Sequence, residues 1–85
     1  MRYTVLIADD SKLQRVIVKE NLKDIYDVAE ASGGQECLDL VEHSAGKIDA
    51  VLLDIVMPGM DGFEVLRRRQ ESGVFQKIPV RSEEH

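Results

Sequence analysis

Apolar and polar residues follow two different periods along this chain, and each change of period marks the border of an element. The runs that are apolar or alternate every second residue predict strands at residues 3–8, 26–31 and 49–54. The runs with helical spacing predict helices at residues 11–25, 35–44 and 63–72. Strands that alternate with helices of this length predict βαβ units and a parallel sheet, which is the α/β class.

The patterns also predict where each element lies. Residues 49–54 are almost continuously apolar, which is typical of a strand covered on both faces, whereas residues 26–31 alternate weakly, as an edge strand does. The first helix has apolar residues on more than one stripe, so we expect it to contact neighbours on two sides. Asp10 or Ser11 is placed to cap its N-terminus.

Length and composition restrict the number of domains, the binding partners and the location that can be expected. The 85 residues suffice for one small domain, and the formal net charge of -5 argues against direct binding to nucleic acid.

The only basic cluster, Arg67-Arg68-Arg69, is predicted to be the solvated face of a helix, with a docking patch as the alternative. Cys37 is predicted to be a small buried hydrophobe. Without a signal peptide or a membrane-length apolar run, we expect a cytoplasmic protein that does not contact the membrane.

Three aspartates follow predicted strands and carry the candidate chemistry. Asp9 and Asp10 come directly after the first strand, and Asp54 closes the third. If those strands are parallel neighbours, their carboxyl ends meet at one edge of the sheet, where ligands of such folds bind. Like charges gathered there repel and require a cation, and carboxylate oxygens suit Mg²⁺. Taken singly, each aspartate would more often cap a helix or begin a loop; together they favour a site.

Two segments closely resemble the receiver domain of bacterial two-component response regulators. They read Val5-Leu6-Ile7-Ala8-Asp9-Asp10-Ser11 and Leu52-Leu53-Asp54-Ile55-Val56-Met57-Pro58-Gly59-Met60-Asp61-Gly62. The resemblance implies a flavodoxin-like, doubly wound parallel sheet. It also implies that Asp54 accepts a phosphoryl group from a histidine kinase or phosphotransfer protein, with Mg²⁺ held by Asp9, Asp10, Asp54 and the main-chain carbonyl of Val56.

The end of the chain departs from that pattern. We expect residues 1–80 to form a partial receiver domain, βαβαβα plus part of a fourth strand, and residues 81–85 to be a tail such as an expression tag. The family places a Thr or Ser where this chain has Glu84, and the family's lysine after the fifth strand has no counterpart. We therefore expect a truncated fragment in which Ala50 to Leu53 form an unpaired edge, and a homodimer that completes the fold.

Three functions compete at this point. The first is a phosphoacceptor signalling module that is not an enzyme. The second is a Mg²⁺-dependent phosphohydrolase with Asp54 as nucleophile, which is disfavoured because Val56 stands where such enzymes place a second aspartate as general acid. The third is an engineered half-fold with a structural or assembly role and no retained phosphorylation.

Overall fold

Four parallel strands form one sheet in the computed structural model, which describes residues 2–44 and 46–83. The strands are β1 (Thr4–Ala8), β2 (Asp27–Ala31), β3 (Ala50–Asp54) and β4 (Val80–Glu83). The helices are α1 (Lys12–Leu22), α2 (Gly34–His43) and α3 (Gly62–Glu71), and a short 3-10 helix (Phe75–Lys77) precedes β4. The strand order β2-β1-β3-β4 confirms the flavodoxin-like prediction and places β2 at an edge, as expected.

The helix borders differ from the prediction by one to three residues: α1 is shorter by one residue at its start and three at its end, and α2 and α3 each begin and end one residue earlier than predicted. Capping side chains set the start of α1 and of α3. The hydroxyl of Ser11, and not Asp10, caps α1 by accepting the Gln14 N–H at 3.3 Å. Asp61 caps α3 by accepting the Glu64 N–H at 3.0 Å. Each cap satisfies a backbone donor that has no partner within the helix.

The hydrophobic core lies on one face of the sheet, beneath α2 and α3. The alternate residues of β1 and β3 that point to this face, Leu6 and Leu53 among them, are fully buried. Cys37 of α2 and Val65 of α3 pack onto them. Cys37 is therefore a buried hydrophobe, as predicted, and burial raises the pKa of its thiol to about 12.

The opposite face carries α1 alone among the described helices. This helix packs on β1 and β2, yet none of its residues is buried, and Leu13, Val16 and Ile17 are exposed. The prediction that α1 contacts neighbours on two sides is therefore wrong for the described part of the chain. Its apolar surface is wider than the strip that the sheet covers, so the outward stripe meets solvent.

β4 corrects the prediction about the third strand. Ala50 to Leu53 do not form an unpaired edge, because β3 lies between β1 and β4 and pairs with both. The strand expected to stop near residue 80 continues to Glu83, since the backbone ladder to β3 holds charged residues as readily as apolar ones. Glu84 and His85 lie outside the described residues, so the expectations for those two positions stay predictions.

The basic cluster on α3 is largely neutralised within its own helix. Arg67 forms ion pairs with Glu64 and Glu71, and its hydrogen bond to Glu64 lowers the pKa of that carboxyl group. Arg68 also pairs with Glu64, at 3.1 Å. Arg69 differs from the solvated-face prediction, because its guanidinium donates to the Ile78 carbonyl at 2.8 Å and ties α3 to the segment before β4.

None of the helices in the described part of the chain is both long and apolar enough to cross a lipid bilayer.

Candidate metal centre at the carboxyl ends of the strands

The structure brings Asp9, Asp10 and Asp54 together. One carboxylate oxygen from each lies within 4.8 Å of the others. The pairing of β1 with β3 produces this arrangement, since Ala8 aligns with Leu53 and the aspartates follow at the same edge. Asp9 and Asp54 are buried, with 4% and 6% of their surfaces exposed, whereas Asp10 is exposed. Solvent therefore reaches the cluster through the exposed Asp10.

Backbone amides orient the two buried carboxylates. The Ser11 N–H donates to Oδ1 of Asp9 at 2.9 Å, and the Val56 N–H donates to Oδ1 of Asp54 at 3.1 Å. Each amide lies two residues after its aspartate, which is the geometry of an Asx turn. A turn of this kind holds a carboxylate at a fixed angle at the end of a strand, as a metal ligand requires.

Arg15 is a component of the site that sequence reasoning missed. Its guanidinium donates to the Asp9 carbonyl at 2.6 Å and forms an ion pair with Glu30 at 3.1 Å, and 14% of its side chain is exposed. Arg15 therefore joins α1, the end of β1 and β2 beside the carboxylates. Its position one turn into the helix after an aspartate pair was visible in the sequence. The part played by Glu30 was not visible in the sequence, because only the pairing of β2 with β1 brings Glu30 opposite Ile7.

The loop after Asp54 is held close to the site by a glycine. The Gly62 N–H donates to the Ile55 carbonyl at 2.8 Å. A Cβ at Gly62 would lie 2.5 Å from the Ile55 Cα and 2.7 Å from the Asp54 carbonyl oxygen, closer than side chains tolerate. Gly59 adopts a φ of 76°, which also favours glycine. The loop thus returns to the end of β3, which carries Asp54.

Glu83 of β4 borders the site from the other side and was assigned by the sequence to a tail. It aligns with Asp54 across the β3–β4 ladder. With Ile7, Val18 and Leu52 it lines a groove of about 270 Å³ that ends at Asp9 and Asp54. No signal within the sequence placed Glu83 here, because a charged residue at a chain end predicts solvent exposure.

The donor set fits a hard divalent cation. Mg²⁺ binds oxygen ligands at about 2.1 Å, so two ligands on opposite sides of the ion are separated by about 4 Å. One oxygen from each carboxylate of this cluster lies within 4.8 Å of the other two, which is close to that separation. It is the one cluster of at least three potential metal ligands among the described residues. The role of the Val56 carbonyl stays a prediction, although the Val56 amide contacts Asp54.

Comparison with known proteins supports this interpretation. The family model described as the response regulator receiver domain matches residues 5–81. The nitrate/nitrite response regulator protein NarL of Escherichia coli K12 is 38% identical over 80 residues, covering 91% of this chain and 36% of NarL. The sensor histidine kinase CheAY of Helicobacter pylori is 34% identical over 79 residues, covering 92% of this chain and 10% of CheAY.

The solved structures agree with the sequence matches. The N-terminal domain of a response regulator receiver protein from Methanoculleus marisnigri superimposes with a TM-score of 0.85 at 37% identity. That match covers 94% of this chain and 64% of the solved chain. The chain thus spans a tenth to about a third of these two relatives and under two thirds of that solved structure.

Proposed function

This chain belongs to the response regulator receiver domain family, and from that membership and its acidic pocket we propose that Asp54 accepts a phosphoryl group in a Mg²⁺-dependent reaction. Receiver domains of two-component response regulators are signalling modules. The observation that carries the proposal is the buried Asp54 carboxylate, held by the Val56 amide within 4.8 Å of the Asp9 and Asp10 oxygens.

Each residue has a distinct part in the proposed reaction. A carboxylate oxygen of Asp54 attacks the phosphorus of a phosphohistidine or a small phosphodonor, and the bond from phosphorus to the donor breaks. Asp9 and Asp10 would hold Mg²⁺, with Asp54 and the Val56 carbonyl completing the ligand set. When bound, the ion neutralises charge on the phosphoryl oxygens, and positioning contributes most of the rate. Arg15 keeps the Asp9 backbone in place.

The proposed partner is a histidine kinase or a phosphotransfer protein. One relative is named a sensor histidine kinase, which places a domain like this one in the same polypeptide as a kinase. Such an encounter in two-component signalling takes place in the cytoplasm, and we propose that location here.

The direct test treats the chain with acetyl phosphate, with and without Mg²⁺, and maps the phosphoryl adduct by intact-mass and peptide mass spectrometry. We expect a Mg²⁺-dependent adduct on Asp54 that Asp54→Asn removes, at low occupancy because Glu84 occupies the family's hydroxyl position. Asp39→Asn, an exposed aspartate of α2, is the matched control and should keep the adduct. The absence of any adduct in the native chain would contradict the proposal.

The departure at Glu84 favours a second candidate, a half-fold with a structural role. That candidate predicts Mg²⁺ binding without an adduct, so the same experiment separates the two. A phosphohydrolase would release inorganic phosphate catalytically. We propose that this chain is not an enzyme of that kind, because the exposed apolar side chain of Val56 offers no proton at the acid's position. Steady phosphate release from a phosphomonoester would contradict this.

We also propose that the chain self-associates. The stripe of Leu13, Val16 and Ile17 on α1 is 67%, 44% and 46% exposed, and the sheet face beside it is partly open. Apolar surface gathered in this way is typical of interaction sites. Light scattering at micromolar concentration should give a dimer mass, and a folded monomer would contradict the proposal.

A further inference from the structure

The first turn of α2 packs directly against the loop that follows Asp54. Gly34, the first residue of α2, is buried. A Cβ at this position would lie 2.5 Å from the Met60 carbonyl oxygen, 2.9 Å from the Met60 Cγ and 2.8 Å from the Val65 Cγ2. Side chains do not tolerate such separations, so the close approach of α2 to the loop requires a glycine at position 34.

The neighbouring Gly33 is under no such constraint. A Cβ at Gly33 would meet no atom within 4 Å. The backbone there is extended, with a φ of -166°, so that other residues adopt it without strain. The two adjacent glycines therefore differ, because Gly34 is a point of contact with the loop and Gly33 is not.

The loop on the other side of this contact is short and closed. The Gly62 N–H donates to the Ile55 carbonyl at 2.8 Å, which joins the two ends of the loop. Val56 lies just inside this closure and donates its N–H to Oδ1 of Asp54 at 3.1 Å. A displacement of Met60 is therefore passed to the residues that hold the Asp54 carboxylate.

The helix is held more firmly than the loop. Three side chains of α2 are buried in the core, those of Cys37, Leu38 and Val41. Within residues 55–61 of the loop, Met57 is the one buried residue. A side chain at position 34 would therefore displace the loop and not the helix, and the separation from the Met60 oxygen must grow from 2.5 Å to at least 3.0 Å.

We propose that Gly34 is a positioning residue for the acidic pocket. Because it has no side chain, α2 supports the loop in the place where the Val56 carbonyl and the Asp54 carboxylate can bind a divalent cation. This inference rests on the proposed function, since it takes that cation site as given. Functional sites need their groups within about 0.5 Å of the productive geometry, and a Cβ at position 34 would cause a displacement of that size.

Gly34→Ala tests this role through the affinity for MgCl₂ alone, measured by isothermal titration calorimetry. We expect the binding of Mg²⁺ to weaken about tenfold, because the displaced loop carries the Val56 carbonyl and the Asp54 carboxylate out of position. Gly33→Ala is the matched control, because it adds the same methyl group one residue earlier in open space, and it should keep the native affinity. Equal affinities in the two variants would overturn the proposal.

A second control separates positioning from a general loss of stability. Val41→Ala removes buried methyl groups two turns further along α2 and pushes no atom toward the loop. It should make the chain easier to unfold in urea and leave the Mg²⁺ affinity unchanged. If Val41→Ala weakens Mg²⁺ binding as much as Gly34→Ala does, the effect comes from lost stability and Gly34 has no positioning role.

The metal-free chain provides a readout that does not depend on the cation. In amide NMR spectra recorded without Mg²⁺, Gly34→Ala should shift the signals of Ile55 and Val56, whereas Gly33→Ala should shift only signals near the start of α2. Unchanged Ile55 and Val56 signals in folded Gly34→Ala would show that the helix gives way and would overturn the proposal.

Met60→Ala tests the same contact from the side of the loop. It removes the Cγ that packs over Gly34, so the loop loses part of its support, and Mg²⁺ binding should weaken about threefold. Should Gly34→Ala fail to fold, native affinity in Met60→Ala would overturn the proposal. Titration of the native chain separates the two proposals, because a native chain that binds no Mg²⁺ contradicts the proposed function itself.

Discussion

At the scale of single residues, the acidic pocket depends on Arg15, a basic side chain that binds its backbone. The Arg15 guanidinium donates to the main-chain carbonyl of Asp9, so it fixes the backbone from which this candidate metal ligand projects. Groups that orient metal ligands are often as important for affinity as the ligands themselves. The nearby Lys19 also pairs with Glu30, at 3.7 Å, which makes it a suitable comparison.

We expect Arg15→Met to weaken Mg²⁺ binding by about tenfold, because the Asp9 backbone loses its anchor. Lys19→Met removes a positive charge that pairs with the same Glu30 carboxylate, and should change the affinity less than twofold. Isothermal titration calorimetry with MgCl₂ measures both. Equal losses in the two variants would show that only net charge matters.

Cys37 gives a pH dependence with a defined sign. The folded state keeps the thiol protonated up to a pKa of about 12, whereas the unfolded chain ionises near the ordinary value of 9.0. The contribution to stability is therefore complete below about pH 9 and is lost as the pH rises toward 12. Near pH 10 the free energy of unfolding should be lower by about 1.4 kcal/mol from this group. Cys37→Val should lack this component in urea titrations near pH 8 and pH 10.

At the scale of elements, the loop from Asp54 to α3 turns back so closely on itself that position 62 accommodates only glycine. We expect Gly62→Ala to lower the free energy of unfolding by about 1–3 kcal/mol, because the new Cβ collides with the Ile55 and Asp54 backbone. It should also reduce the Asp54 adduct, since the displaced atoms carry that carboxylate.

Gly73→Ala is the matched control for this loop, because a Cβ there has no neighbour within 4 Å. Urea unfolding and adduct yield are measured on both variants. If Gly62→Ala is as stable and as reactive as Gly73→Ala, the loop adjusts without disturbing Asp54, and the close approach has no functional role.

At the scale of the whole molecule, stability comes from one face of the sheet. Leu6 is fully buried beneath α2 and α3, whereas Leu13 on α1 is 67% exposed. Leu6→Ala should lower the free energy of unfolding by about 2–5 kcal/mol, a large part of the stability of a small domain. Leu13→Ala should change the free energy of unfolding by less than about 0.5 kcal/mol. Thermal and urea unfolding compare the two, and similar losses would show that the α1 face is covered in solution.

The sequence alone determined the order of strands and helices and the α/β class, because both follow from local periodicity. The meeting of Asp9, Asp10 and Asp54 followed from the rule that neighbouring parallel strands share an edge for their carboxyl ends. The flavodoxin-like class came from the resemblance of two segments to receiver domains. The burial of Cys37 follows from local periodicity as well, because an apolar position within an amphipathic helix already indicates its side.

Only the tertiary structure decided how far β4 runs, which side of α1 is exposed, and that Glu83 and the Arg15–Glu30 ion pair lie beside the strand ends that carry the acidic cluster. Each of these depends on contacts between residues far apart in the chain: β4 extends because β3 supplies its hydrogen bonds, and Glu30 meets Arg15 because β2 pairs with β1. The residues next to a charged side chain in the sequence do not indicate which distant residue it will contact. The candidate metal ligands could therefore be predicted from the sequence, whereas the groups that hold them in place could be identified only from the fold.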